Sequence, residues 1–338
     1  MLTTTKRPGH LMASESAEAL GVFCTTAAKD ISAALTPLDL SGINAIYTIA
    51  RGSSDAAANI LSYELMRELG LPVTSLPPSV FSIGAGVKLD RAAALVVSQS
   101  GASEDLVRSA KGARLAGAAV LAITNTPASP VEGAAQVTIP IGAGPELAVP
   151  ATKSVIGSVA AGMALMSALV PAYAARTRAS VAALTAAPSA HPKADQIRAA
   201  LLRANHVYVI GRDTGYGAAQ ETALKLKECC ALHAEAYSAS EVIHGPLQLA
   251  TNPMMVLVLD TGAEIARDSL DQAEARLKAT GCDVWRISPS DLGVGPLTPA
   301  AAAAYLLALV YPVILATALA LGHDPDSPKA LSKVTQTT

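Results

Sequence analysis

Aromatic residues are scarce in this chain: one Trp, two Phe and eight Tyr among 338 residues, 3% in all. Aliphatic side chains must therefore fill the core. Hydrophobic residues make up 51% of the chain, with alanine and leucine prominent, which points to many helices. Charge is sparse too, at 15%, with a formal net charge of -2 and no cluster of Lys and Arg. A nucleic-acid surface needs such a cluster, so no nucleic-acid partner is expected. The four cysteines, Cys24, Cys229, Cys230 and Cys282, show neither CxxC nor zinc spacing. They read as reduced thiols of a cytoplasmic protein, and no metal or other cofactor is expected. The N-terminus, MLTTTKRPGHLMASESAEAL, lacks the apolar core of a secretory signal. One apolar run stands out, residues 300–321, which carry no charge and are long enough to span a bilayer. Pro312 interrupts it, alanine dominates it and no basic flank precedes it. The expectation is a helix buried within the protein, with no membrane partner.

What the chain does have is alternation. Apolar residues recurring every three or four positions predict a helix over residues 9–36. Strands are predicted at residues 44–50, 73–76, 93–97, 118–124 and 137–141, and helices at 55–69, 103–115 and 151–170. Strands alternating with helices imply an α/β fold with a mainly parallel sheet. A Pro- and Ala-rich linker, TAAPSAHPKAD at 185–195, follows, and then the layout restarts. HVYVIGRDTGYGAAQETALKL repeats the plan of AIYTIARGSSDAAANILSYEL. Further on, Gly262 matches Gly101 and Gly281 matches Gly117, each pair bracketing a helix. The chain is thus predicted to be two copies of one α/β unit, residues 1–185 with an N-terminal helix and 195–338 with a C-terminal tail.

Glu221, Lys225 and Glu228, spaced i, i+4 and i+7, share one face of a helix. This helix follows a strand-like run at 206–210 and a glycine-bearing turn with Gly211, Gly215 and Gly217. Such an entry places the helix start at the carboxyl edge of a sheet, where α/β proteins put ligands. A surface helix with ordinary ion pairs would use the same residues. In the first unit, Ser98, Gln99 and Ser100 occupy the strand-to-helix turn, whereas the second has Asp260, Thr261 and Gly262. Hydroxyls, an amide and backbone N–H groups at a helix N-terminus suit an anion, and an aspartate would repel it. The first unit is therefore expected to hold the anion, with Ser54 and Ser103 as further donors. Serines at such places also cap helices.

These stretches resemble the sugar isomerase (SIS) family, above all the isomerase domain of glucosamine-6-phosphate synthase and the SIS-type glucosamine-6-phosphate deaminases. RGSS at 51–54 looks like the family's CGTS turn, and SQSGASED at 98–105 like its SQSGETAD phosphate loop. GPELAVPATKS at 144–154 is similar to EIGVASTK, and ETALKLKECCALHAEAY followed by HGPL is similar to EGALKLKE, HAEAY and HGPL. PKALSKVT at 328–335 resembles PRNLAKSVT. The resemblance implies two tandem SIS domains, each a three-layer α/β/α sandwich. It implies that Ser54, Ser98, Gln99, Ser100 and Ser103 hold a sugar phosphate and that Val149, Glu228, Ser332 and Lys333 line the sugar. It further implies that Glu228 moves a proton between C1 and C2, that His244 opens the ring from a neighbouring subunit, and that Lys333 forms an imine. The residue types suit these tasks. Aldose–ketose interconversion needs a carboxylate over two adjacent carbons, ring opening favours a group titrating near neutrality, and an imine needs an unprotonated lysine. Simpler readings are a solvated tail for Lys333, a helix cap for His244 and an ion pair with Lys225 for Glu228.

The activity implied is conversion of glucosamine 6-phosphate and water to fructose 6-phosphate and ammonia, in a cytoplasmic homodimer with shared active sites. Galactosamine 6-phosphate or a fructosamine phosphate is the alternative substrate, and a non-catalytic phosphosugar sensor the alternative class. The synthase begins with a glutaminase domain whose N-terminal cysteine releases ammonia from glutamine; no such domain is expected here, the residue after Met1 is Leu2, and glutamine is not expected to serve. Ala102 replaces an acid in the phosphate loop, Ile243 replaces the lysine before the histidine, and residues 336–338 differ from the family ending.

Overall fold

The computed structural model describes residues 7–333; Leu2, the end of the tail motif at Val334 and Thr335, and residues 336–338 lie outside the described residues. Five strands, β1 (Ala45–Ile49), β2 (Val73–Ser75), β3 (Ala92–Ser98), β4 (Ala119–Thr124) and β5 (Val137–Pro140), form a sheet in the order β2-β1-β3-β4-β5. Four more, β6 (His206–Gly211), β7 (His233–Ser238), β8 (Met255–Leu259) and β9 (Asp283–Ile287), form a second in the order β7-β6-β8-β9. Every pairing is parallel. All seven residues of β3 are buried, which explains an apolar run without alternation. In both sheets the order reverses at the first strand, so the loops leaving β1 and β3, or β6 and β8, diverge and open a crevice.

The longer helices are α1 (His10–Ala27), α2 (Ser53–Leu69), α3 (Glu104–Leu115), α4 (Lys153–Leu169), α5 (Pro171–Thr185), α6 (Ala194–Arg203), α7 (Thr214–Cys230), α8 (Arg267–Ala279) and α9 (Pro299–Ala320). The repeat is visible in the backbone itself. Gly52, before α2, has φ 55° and ψ -131°; Asp213, before α7, has φ 57° and ψ -136°. The paired glycines also agree, with φ of 62° and 75° at Gly101 and Gly262, and 97° and 88° at Gly117 and Gly281.

Three features depart from the sequence reading. The predicted helix over 9–36 breaks after Ala27, and a short helix, Ser32–Leu35, follows. Asp30 Oδ1 accepts the Ser32 N–H at 2.9 Å, a local turn that competes with helix. Gly215 and Gly217 lie inside α7, not in the turn before it. A Cβ on Gly217 would stand 2.8 Å from the Ala56 carbonyl oxygen and the Ile60 nitrogen, so this glycine lets α2 and α7 touch backbone to backbone. Helices α5 and α6, on either side of the linker, were not foreseen.

The apolar run forms α9, and 83% of its most apolar window is buried in the molecule. A helix apolar all round needs cover on every side, and α9 packs against α1, α4, α6 and α7. Its buried tyrosines find partners: Tyr305 donates to the Pro188 carbonyl at 2.8 Å and Tyr311 to Glu221 Oε1 at 3.2 Å. Pro312 falls on an exposed position of the helix.

Candidate active site

Helices α2 and α7 run antiparallel, so the last turns of each meet the start of the other. At one end, Lys225 of α7 donates to Ser53 Oγ at 2.9 Å. There the turns after β1 and β3, the end of α7 and the chain's tail enclose a cleft of about 450 Å³. The cleft brings together Ser54, Ser100, Ser103, Val149, Glu228, Ser332 and Lys333. Arg51, Ser53 and Lys225, none of them assigned a substrate contact from sequence, line it too.

The charged face of α7 forms as its spacing requires. Lys225 Nζ lies 2.5 Å from Glu228 Oε2 and 3.4 Å from Glu221 Oε1. Glu221 and Lys225 are wholly buried, while Glu228 is a quarter exposed and faces the cleft. Burial pushes the Glu221 carboxyl up to about 7, against the pull of the Lys225 charge. Burial alone would lower the Lys225 ammonium, but the two carboxylates outweigh it and raise it. Lys225 is thus a standing cation that fixes Glu228 at the cleft wall. Glu228 is both an ion-pair partner of Lys225 and a cleft residue.

Lys333 meets the cleft from the tail. Its Nζ donates to the Ala148 carbonyl at 2.6 Å and lies 3.7 Å from Glu146 Oε2. Two buried carboxylates shape the loop carrying Ala148. Glu146 accepts the N–H groups of Thr152 and Ser154, each at 3.0 Å, and the Ser154 hydroxyl. Glu15, from α1, accepts those of Leu147 and Ala148. Together they present Val149 to the cleft.

The serine turn divides into builders and lining. Ser98 is buried, and its Oγ accepts the Gly101 N–H at 3.1 Å. Gln99 gives its carbonyl to the Asn125 N–H at 3.1 Å. Neither lines the cleft. A Cβ on Gly101 would fall 2.2 Å from Ser129 Oγ, so glycine is required there. Ser103 caps α3 by position without a side-chain cap bond, and its residue faces the cleft. Arg51 pairs with buried Asp105 at 3.0 Å.

His244 is exposed at the start of a 3-10 turn, Gly245–Thr251, and does not line the cleft. At the opposite end of the α2–α7 pair the polar groups are engaged with one another. Arg67 pairs with Asp213, and Arg212, the counterpart of Arg51, donates to Ser238 and Ser240 at 2.8 and 2.6 Å. Asp260 fills its own turn, accepting the Gly262 N–H at 2.8 Å and pairing with Arg286 at 2.8 Å. Among the described residues no three His, Cys, Asp or Glu side chains group to hold a metal.

The sequence matches the SIS domain model over residues 39–168 and 200–294. An isomerizing glutamine–fructose-6-phosphate aminotransferase of Aeropyrum pernix is 30% identical over 87% of this chain and 51% of its own length. The chain spans about half the length of the curated relatives it matches. A solved candidate phosphosugar isomerase of Silicibacter pomeroyi superposes with TM-score 0.82 at 33% identity, over 93% of this chain and 99% of that one. The C-terminal domain of glucosamine-fructose-6-phosphate aminotransferase from Francisella tularensis shares the fold, with TM-score 0.81 at 20% identity over 96% and 99%.

Proposed function

Because the chain belongs to the SIS domain family, we propose that it converts glucosamine 6-phosphate and water to fructose 6-phosphate and ammonia. The convergence of Glu228, Lys333 and the first unit's serines on one cleft carries the reading. The 30% identity to an isomerizing fructose-6-phosphate aminotransferase supports a hexose 6-phosphate as the substrate class. Taking the units as residues 1–185 and 195–338, the first supplies the phosphate site and the second the acid–base groups.

Ser54, Ser100 and Ser103 hold the phosphate at helix starts. The open-chain sugar then extends toward Glu228. Glu228 takes the proton from C2 and returns it to C1, while the aldehyde oxygen gains a proton and C2 becomes an imine. Lys333, once deprotonated, adds to C2 and expels ammonia; water then adds to C2 and releases the lysine, leaving the ketone. Lys225 holds the Glu228 carboxylate in place throughout. Ring opening falls to His244 of a second copy, so the reading includes a homodimer with shared sites. At low free ammonia the hydrolytic direction is favoured, and glutamine is not needed. Four free cysteines suit a reducing cytoplasm.

The test is to incubate the pure protein with glucosamine 6-phosphate, galactosamine 6-phosphate and a fructosamine phosphate, without glutamine, and to measure ammonia and ketose phosphate. Ammonia from glucosamine 6-phosphate is the expected result. Tight binding of hexose phosphates with no ammonia from any of the three would favour a sensor instead.

A further inference from the structure

We propose that Arg51 is an anion-binding residue of the cleft that sets its preference for the phosphate end of the substrate. The inference rests on the phosphosugar reading above. Arg51 lies in the turn between β1 and α2, at the position of the cysteine in the CGTS turn that RGSS resembles. It lines the cleft with Ser54, Ser100 and Ser103, and its side chain is 39% exposed while its guanidinium pairs with Asp105.

Asp105 is the carboxylate that Arg51 meets beside the cleft. It sits in the first turn of α3, directly after the serine turn, with its side chain 4% exposed and Oδ1 without a hydrogen-bond partner. A buried carboxylate at that point opposes any anion bound above it. Arg51 cancels the charge, and a planar guanidinium can face a carboxylate on one edge and a phosphate on another. The same loop has Ala102 where the resembling loop has an acid. Glu104 stands where that loop has alanine, but it pairs with Arg108 and does not line the cleft, so the cation at Arg51 is the charge change that faces the serines.

Calorimetric titration with fructose 6-phosphate, with inorganic phosphate as competitor, tests this on wild type, Arg51→Ala, Arg51→Lys and the double variant Arg51→Ala/Asp105→Asn. Arg51→Ala should weaken both ligands by about 10- to 100-fold, the loss of a charge-assisted contact. In turnover the loss should appear in KM more than in kcat. Arg51→Lys should recover part of the affinity, having the charge without the fork. The double variant removes the stranded carboxylate and should stay weak. Its return to wild-type affinity would mean that Arg51 only neutralises Asp105, and would overturn the proposal, as would unchanged binding in Arg51→Ala. A wild-type protein that binds neither ligand would overturn the phosphosugar reading, and this inference with it.

Discussion

Lys225 and Ser53 are 172 residues apart in the chain, yet the lysine Nζ donates to the serine Oγ at 2.9 Å. The same ammonium holds Glu228 at 2.5 Å. One buried cation therefore joins the packing of two α/β units to the aim of the proposed base. A carboxylate that must serve two adjacent carbons gains from being held this way, since misplacement costs rate.

Replacing Lys225 by Met should unfold the protein more easily and abolish turnover. Removing one partner of a buried ion pair costs about 3–5 kcal/mol, because the other charge is left without compensation. Here that partner is Glu221, which is wholly buried and titrates at about 7, so the cost is greatest above that pH, where it is ionised. Adding Glu221→Gln to Lys225→Met should restore part of the stability but not the activity, since Glu228 still lacks its anchor. Urea denaturation and an ammonia assay on the two variants separate these effects. A Lys225→Met protein as stable as wild type would contradict the role given to the cation.

Glu221 also makes stability depend on pH. Its carboxyl is pushed up to about 7 in the folded chain, from 4.5 for the free group. Between these values the folded chain holds a proton that the unfolded chain has lost. Stability therefore falls as pH rises through this window, and the contribution is fully present only below the unfolded value. Lys225 is shifted in the raising direction, so its contribution is constant across that range and is lost only at high pH. Urea midpoints measured at about pH 5 and about pH 7.5 should drop more for wild type than for Glu221→Gln. Parallel curves for the two proteins would show that Glu221 does not titrate there.

The serines should divide by function. Ser100→Ala and Ser103→Ala should each weaken hexose-phosphate binding, at a cost on the order of 2 kcal/mol per lost bond to a charged group. Ser98→Ala should act through stability instead, because its Oγ holds the Gly101 N–H rather than lining the cleft. Thr261→Ala, in the turn closed by Asp260 and Arg286, should leave binding as it is. Equal binding losses at Ser100 and Thr261 would contradict the asymmetry of the two units.

How much of this was legible in the sequence follows from what is local. The strand–turn–helix units matched because each fixes its own backbone: Gly52 and Asp213 adopt the same turn despite different side chains. Ser54, Ser100, Ser103 and Glu228 reach the cleft because they sit at element ends set by nearby residues. The i, i+4, i+7 spacing foretold the ion pairs of Lys225 but not their burial, which depends on α2 and α9 packing over them. Arg51 with Asp105, Glu15 under the loop at Val149, and Ser53 with Lys225 join distant parts of the chain. No periodicity carries such contacts. Gly217 looked like a turn residue because a glycine soon after a strand reads the same way, and only α2 lying against it shows otherwise.

The place of His244 needs a second copy, and this supplies the last prediction. Within one chain His244 is exposed and stands apart from the cleft that holds Glu228 and Lys333. If it acts in ring opening, it must enter the cleft of a neighbour. A two-fold dimer would then place one chain's His244 turn into the other's cleft, and the reverse. A His244→Ala chain keeps Glu228 and can accept a good histidine; a Glu228→Ala chain keeps His244 and can lend it. Each variant alone should be nearly inactive, since general acid–base groups contribute about 10²- to 10⁴-fold. Mixed under conditions of subunit exchange, the heterodimer regains one complete cleft of its two, and activity should rise far above either parent. Mass spectrometry of the native complexes establishes that heterodimers have formed. If confirmed heterodimers stay as inactive as their parents, the shared cleft is wrong, and His244 acts within its own chain or takes no part in turnover.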